Sequence, residues 1–401
     1  METITTEYLI IGAGIVGLSV AKKLKEKHPN ADVLVIEKEE DIARHASGRN
    51  SGVLHAGFYY TKDSLKARFT KEGNGELKKF CEENGLKINR CGKVVVALDE
   101  DELRVLYELE KRAKANGVEV ALISEKELEL YEPNAITHKK ALWSPNTATI
   151  DPIEVLYALK NRLIQNGVNI LFKTPYLKKI DKNTVSAGDK KIKAKKIINA
   201  SGLYADKIAK DFGFSKNYTI IPFKGIYLKY TGMDKPIKTN IYPTPNLKNP
   251  FLGVHYTLTV DGVIKIGPTA IPALWRENYG SLNGFSPGEM IRVIFWESRL
   301  FLANSFNFRD LAFEETKKFN KNYLAKLARK MVKQIDENMF NKWSTPGIRA
   351  QLLNTKTKEL IQDFVVESDG LSVHILNAVS PAFTCSFTFA EWVVENYLNI
   401  N

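Results

Sequence analysis

The hydrophobic positions of the first forty residues change period twice. Tyr8-Leu9-Ile10-Ile11 is an unbroken apolar run, the pattern of a short buried strand. Apolar residues then recur at helical spacing, at Leu18, Ala21 and Leu24. A second unbroken run, Val33-Leu34-Val35-Ile36, follows and ends on Glu37. Strand, helix and strand in this order predict the start of a parallel sheet.

Similar patterns continue down the chain. Residues 102–116 form an amphipathic helix with Leu103, Leu106, Leu109 and Ala113 on one face. Residues 151–166 form another, with Asp151-Pro152 as N-cap and first helical residue and Gly167 as its stop. Residues 168–172 read as a strand, and so does the run ending at Ile197-Ile198, which leads through Asn199-Ala200-Ser201-Gly202 into a helix at 203–206. Strands are expected at 218–222, 225–230 and 263–267, the last after the Asp261-Gly262 turn. Residues 286–340 read as mostly helical and rich in Phe and Lys; a strand at 371–376, a loop at 377–381 and a last helix close the chain. There is no internal repeat and no low-complexity tract. A late strand feeding a helix beside the first sheet implies that the two ends of the chain meet. The first domain is therefore expected at 1–85, 141–215 and 345–401, interrupted by a second at 86–140 and 216–344.

Between the first strand and helix stands Gly12-Ala13-Gly14-Ile15-Val16-Gly17, and Glu37 lies about 20 residues beyond the last glycine. This is a dinucleotide-binding fingerprint. Gly12 permits the tight turn, Gly14 admits a pyrophosphate to the backbone, and Gly17 lets helix and strand pack closely. The helix N-terminus, with Ile15 and Val16 in its first turn, offers unpaired N–H groups and the positive end of a dipole to phosphate. Glu37, followed by Lys38, can accept both ribose hydroxyls; its charge would repel the 2′-phosphate of NADP. NAD and FAD remain open at this point.

With 401 residues the chain can hold two domains and a large core. Its apolar and charged fractions are ordinary for a globular protein, and no run approaches the roughly 18 apolar residues of a membrane span. The first strand begins so near Met1 that no signal peptide is expected. Cys81, Cys91 and Cys385 are too scattered for a disulfide framework or a zinc site, so no metal is expected and a cytoplasmic location is. The formal net charge of +12 raises the question of nucleic acid. The lysines are dispersed, as at Lys22-Lys23 and Lys190-Lys191, and no nucleic-acid module is present.

Two segments bear on the cofactor. Residues 43–60 follow the ribose strand and are dense in small and polar residues; residues 197–206 run from strand into an Asn-Ala-Ser-Gly turn. With Pro222-Phe223-Lys224-Gly225, Phe251-Leu252-Gly253-Val254-His255, Gly267-Pro268-Thr269-Ala270, Gly347-Ile348-Arg349-Ala350-Gln351 and Ser380-Pro381-Ala382-Phe383-Thr384, they resemble the FAD-dependent D-amino-acid-oxidase superfamily. More closely, they resemble its L-2-hydroxyglutarate dehydrogenase/oxidase family, over nearly the whole chain. That family often has His at Arg49, Arg at Lys224 and Asn at Thr269. The resemblance implies an α/β protein: a Rossmann-type FAD-binding domain interleaved with an α+β substrate domain built on an antiparallel sheet. It also implies a non-covalent FAD and oxidation of an L-2-hydroxy dicarboxylate to the 2-oxo acid, with electrons passing to quinone or oxygen. His45 is the residue to check for a covalent link. On the resemblance, Ser47, Arg49, Asn50, Ser51, Gly52, Leu177, Ala200, Ser201 and Gly202 are expected to contact FAD.

Oxidising a 2-hydroxy acid requires a base for the hydroxyl proton, cations for the carboxylates and a hydride acceptor. Of six histidines, His28 and His138 read as surface residues and His374 as a core residue alternating with Val373 and Ile375. His255, on a substrate-domain strand, is the favoured base, and His55 is second. Arg349 and Lys224 are expected to hold the carboxylates; for Arg349 this role is what the superfamily resemblance implies. Tyr59, Tyr60 and Tyr256 are candidate donors to the distal carboxylate. The loop 377–384 would face the reduced ring, with Ser380, Pro381, Ala382, Phe383 and Thr384 beside the cofactor. The aromatic and basic residues of 286–340, among them Phe295, Trp296, Arg292 and Arg299, either cap the substrate domain or dock it on a membrane surface where quinone resides. Two other readings are a flavin amine oxidase of the glycine-oxidase type and an FAD-holding assembly subunit without turnover.

Overall fold

The first strand, Glu2–Ile11, is longer than its apolar run, because the polar alternation of residues 2–7 continues the pairing. It lies parallel to Lys190–Asn199, from Glu2↔Lys190 to Ile11↔Asn199, and parallel to Val33–Ile36 on its other side. Those two strands in turn pair in parallel with Ser372–Asn377 and Asn169–Leu171. A hairpin of Tyr176–Lys179 and Thr184–Ala187 and the antiparallel strand Val365–Ser368 complete an eight-stranded sheet. The two ends of the chain meet as expected: helix Ile15–Lys27 packs against the last helix, Ser386–Tyr397. Their apolar faces share one core with Val33, Val35, Leu156 and Leu159. These relations come from a computed structural model that describes residues 2–246 and 251–398.

A second eight-stranded sheet runs Phe340–Trp343, Leu228–Tyr230, Ile264–Gly267, His255–Leu258, Asn240–Pro243, Lys93–Val96, Lys140–Ser144, Ala121–Ser124. It is antiparallel except where Asn240–Pro243 runs parallel to Lys93–Val96. The pairing of Lys140–Ser144 with Lys93–Val96 puts residues 141–144 in this second sheet, past the boundary the sequence suggests. A short sheet bridges the halves: Tyr218–Gly225 pairs antiparallel with Gly347–Asn354 and Ile271–Pro272. The single strand expected at 225–230 is broken, since the chain leaves the bridging sheet at Gly225 and joins the second sheet at Leu228. Helices Pro287–Ala303, Phe308–Lys317 and Lys321–Arg329 occupy the segment read as helical. No described helix is long and apolar enough to cross a membrane.

Candidate active site

A cavity of about 940 Å³ runs from the ends of the parallel strands to the second sheet. That is near the upper end of ligand-pocket sizes, roughly 300–1,000 Å³. Its narrow start is the glycine turn. Gly12 has φ +108°, and a Cβ there would stand 2.7 Å from the Ala200 carbonyl oxygen. A Cβ on Gly17 would stand 2.0 Å from the Gly12 carbonyl oxygen, so the helix packs against the turn only because Gly17 lacks a side chain. Gly14 is the N-cap of Ile15–Lys27, with no side-chain cap and no acidic residue in the first turn. The positive end of that helix therefore opens into the cavity, with its first N–H, that of Ile15, held by Ser47. Glu37 is held by Ala13 N–H donating to Oε2 at 2.9 Å and Glu39 N–H to Oε1 at 3.1 Å. Backbone close to the cavity, a helix start facing it and a fixed carboxylate at the second strand fit a dinucleotide.

The other residues expected at the cofactor mostly line this cavity. Lys38, His45, Ser47, Arg49, Asn50, Ser51, Leu177, Ala200, Ser201 and Gly202 form its first half and Ser380–Thr384 its second. Gly17 and Gly52 lie behind the wall. Gly52 supports it through close packing on the Ile150 carbonyl. Ser47 Oγ accepts from Ile15 N–H at 2.9 Å and so braces the first helix. His45 has both ring nitrogens engaged, with Tyr279 Oη at 2.9 Å and Glu39 Oε1 at 2.8 Å. Glu39, His45 and Glu277 converge, and Lys38 supplies the positive charge among them, 2.7 Å from Glu277. Ser386–Tyr397 starts without a side-chain cap or an acidic residue, and the N–H groups of Phe383 and Thr384 have no backbone acceptor among the described residues. The Ala382 N–H, also expected to face the cofactor, is instead used on Val379 O.

At the far end His55, His255 and Arg349 come together in the wall, with Tyr227, Tyr242 and Phe251. His255 Nδ1 donates to the Gly253 carbonyl at 2.8 Å, and its ring stacks on Tyr242 at 3.7 Å. The tautomer that bond fixes leaves Nε2 as a free acceptor. Burial lowers the imidazole to about 3, with Lys93 adding to the shift, so His255 is neutral at pH 7. Burial, then Lys93 and His255, holds His55 well below the ordinary histidine range. Thr384 Oγ1 accepts from His55 N–H at 3.2 Å and ties the last helix to this segment. Arg349 Nε donates to Gln351 Oε1 at 3.0 Å, while its two terminal nitrogens have no acceptor among the described residues. Burial lowers the guanidinium to about 10, which keeps it cationic.

Strand alternation removes two expected residues from the wall. Phe223 pairs with Arg349 on the cavity face, so Lys224 points to the opposite face, where Nζ donates to Asn278 Oδ1 at 3.2 Å. Tyr256 follows His255 and is likewise turned away, fully buried in the core with Phe340. Tyr59 packs with Phe58 around Lys93. Tyr60 lies behind Arg349, close enough for each to act on the other's charge. His374 is a core residue between Phe212 and Phe214. His28 and His138 are not part of the cavity wall.

Sequence reasoning missed Lys66 and Lys93. Lys66 falls on the buried stripe of helix Leu65–Glu83 with Phe69, Thr70, Gly73 and Leu77, a cation where an apolar residue belongs. Lys93 opens a wholly buried strand, and its Nζ sits 4.5–4.8 Å from the ring centroids of Phe58, Tyr59 and Tyr242, without a hydrogen bond.

Residues 7–396 match the family model described as DAO, FAD dependent oxidoreductase. The chain is 34% identical over 404 residues to an L-2-hydroxyglutarate dehydrogenase of Indibacter alkaliphilus, covering 98% of this chain and 99% of that protein. It is 33% identical over 397 residues to the L-2-hydroxyglutarate dehydrogenase of Escherichia coli K12, covering 97% and 92%. In fold it is similar to the L-alpha-glycerophosphate oxidase of Mycoplasma pneumoniae with FAD bound, at TM-score 0.76 and 22% identity, covering 99% of this chain and 96% of the other.

Proposed function

Because the chain belongs to the L-2-hydroxyglutarate dehydrogenase family of FAD dependent oxidoreductases, we propose that it oxidises L-2-hydroxyglutarate, or a close L-2-hydroxy acid, to the 2-oxo acid. FAD, when bound, supplies the hydride acceptor. The chain's residues do the rest. The turn at Gly12, Gly14 and the first helix holds the pyrophosphate, and Glu37 holds the ribose. Arg349 presents a free guanidinium fork to the α-carboxylate, which fixes the hydroxyl-bearing carbon in the cavity. The proton of the substrate hydroxyl goes to the imidazole pair, with His255 Nε2 as acceptor and His55 beside it. The uncapped start of the last helix offsets negative charge that develops next to it.

The observation that carries this reading is one cavity wall holding a histidine of fixed tautomer and an arginine with unpaired terminal nitrogens. Replacing His255 by Asn tests it. Turnover of L-2-hydroxyglutarate should fall by roughly 10²–10⁴-fold, the usual contribution of a general base, with the flavin absorbance retained. Full turnover in that variant would remove His255 as the base; the same replacement at His55 then identifies the alternative.

A surface feature supports quinone as the acceptor of the electrons. Helix Pro287–Ala303 buries Val293 and Leu300 but leaves Ile291, Ile294, Phe295 and Leu302 exposed beside Arg292 and Arg299. Phe313, whose ring lies 5.9 Å from that of Phe301, extends that apolar face. An apolar face ringed by arginine suits peripheral contact with an anionic membrane, where quinone is at hand. The three unpaired cysteines fit a cytoplasmic location, on the inner membrane face.

A further inference from the structure

Lys66 lies in the first turn of helix Leu65–Glu83 and is only 5% exposed. A lysine so placed normally has a carboxylate partner. Asp363 is adjacent, but its oxygens accept from the backbone N–H groups of Leu65, at 2.8 Å, and Lys66, at 3.1 Å. Lys66 Nζ has no ion pair or hydrogen bond among the described residues; its recorded contact is the ring of Tyr60, 5.9 Å to the centroid. The neighbouring cation is Arg349, whose terminal nitrogens are also free. Burial and Arg349 together lower Lys66 to about 7. The far end of the cavity thus carries Arg349 in the wall and, behind it, Lys66, about half protonated at neutral pH and opposed by Arg349, with only the field of Asp363 to offset it; an anion bound between them would hold Lys66 in its charged form. Tyr60 touches both fields, with its hydroxyl kept protonated by burial.

Two such charges oppose each other and are costly without an anion. A ligand with one carboxylate answers the Arg349 charge and leaves Lys66 unpaired. A dianion answers both and favours the protonated form of Lys66. We propose that Lys66 is the specificity-determining residue that makes this site select dicarboxylic over monocarboxylic 2-hydroxy acids, with Tyr60 as a neutral donor between Lys66 and Arg349. This rests on the reading of the site as a 2-hydroxy-acid oxidation centre. Lys224, expected in this role from its place in the sequence, is on the opposite face of its strand.

The test compares L-2-hydroxyglutarate with L-2-hydroxyvalerate, which has the same chain length and no distal carboxylate, in the FAD-loaded wild type, Lys66→Met and Lys66→Arg. In Lys66→Met, kcat/KM for the dicarboxylate should fall at least 100-fold, mainly through KM, while the value for the monocarboxylate stays within about threefold. Lys66→Arg should restore most of the preference. Glutarate, which cannot be oxidised, should perturb the flavin spectrum of the wild type and Lys66→Arg at concentrations where Lys66→Met shows no change. Equal losses on both substrates, or an unchanged preference, would overturn the proposal. A wild type that turns over neither hydroxy acid, yet binds glutarate through Lys66, would instead defeat the underlying reading of the reaction and leave the dianion site standing.

Discussion

His255 takes its chemistry from what surrounds the ring. The Gly253 carbonyl fixes which nitrogen carries the proton, Tyr242 holds the plane of the imidazole, and burial keeps it uncharged. The charged groups that act on it are Lys93 and Lys318; those on His55 are Lys93, His255 and Lys66. All are cations or potential cations, so each opposes protonation. A histidine lowered to about 3 is unprotonated, and so able to accept a proton, at every pH above that value, and it is a weaker base than an ordinary imidazole. The expected kcat/KM profile therefore lacks an acid limb near 6.5, the ordinary histidine value, and stays flat down to about pH 5. Lys93→Met removes a positive neighbour and should move the acid limb upward, still well below 6.5, because burial is the larger cause of the shift. A wild-type limb centred at 6.5, unmoved in Lys93→Met, would contradict this account. The same groups affect stability. Between the lowered folded value and about 6.5 the unfolded chain binds more protons, so stability is present above 6.5 and is lost as pH falls through that window. At this scale the sequence was partly legible. The histidines stood in recognisable segments, but the two lysines did not. A lysine on a surface and a lysine on a buried stripe look alike until the phase of the helix is fixed.

Elements explain which residues sequence patterns identified and which they misplaced. The glycine turn was readable because its function is local: Gly12, Gly14 and Gly17 act on atoms within the same strand, turn and helix or immediately beside them. Lys224 and Tyr256 were misplaced because a strand turns alternate residues to opposite faces, and only pairing decides which face meets the cavity. The helices of 287–317 present a different case. Their spacing showed amphipathic character, but the inward face is narrow and much of the apolar surface stays outside, with Ile291 67% and Leu302 74% exposed. Vesicle flotation measures what that face does. The wild type should float with vesicles containing anionic lipid, and less so with neutral lipid or at high salt. Ile291→Glu with Leu302→Glu should lower binding at least tenfold while soluble turnover with an artificial acceptor is kept. Equal flotation of both proteins would leave the face as a plain cap on the substrate domain.

The molecule as a whole brings distant segments into one cavity. The first turn comes from residue 12 onward, the ribose carboxylate from 37, the imidazoles from 55 and 255, the guanidinium from 349, and the last helix start from 385. A buried ion pair, Arg276 with Asp206 at 2.6 Å, ties the loop after Ile271–Pro272 to helix Ala205–Asp211 beside the parallel sheet. Lys38 and Glu277, the residue after Arg276, make a second, part-exposed link beside it. The parallel sheet and the meeting of the termini were legible because each follows from local order, strand then helix then strand. The bridging sheet of Tyr218–Gly225 with Gly347–Asn354 was not, since nothing in either strand names a partner more than a hundred residues away. The central claim is that these converging parts oxidise one enantiomer of a 2-hydroxy dicarboxylate. Its most direct test is the visible spectrum of the purified, FAD-loaded protein without oxygen, before and after L- and D-2-hydroxyglutarate. The account predicts that the L-acid bleaches the flavin band and yields 2-oxoglutarate in equal amount, and that the D-acid leaves it unchanged. A yellow protein that neither acid bleaches would contradict it.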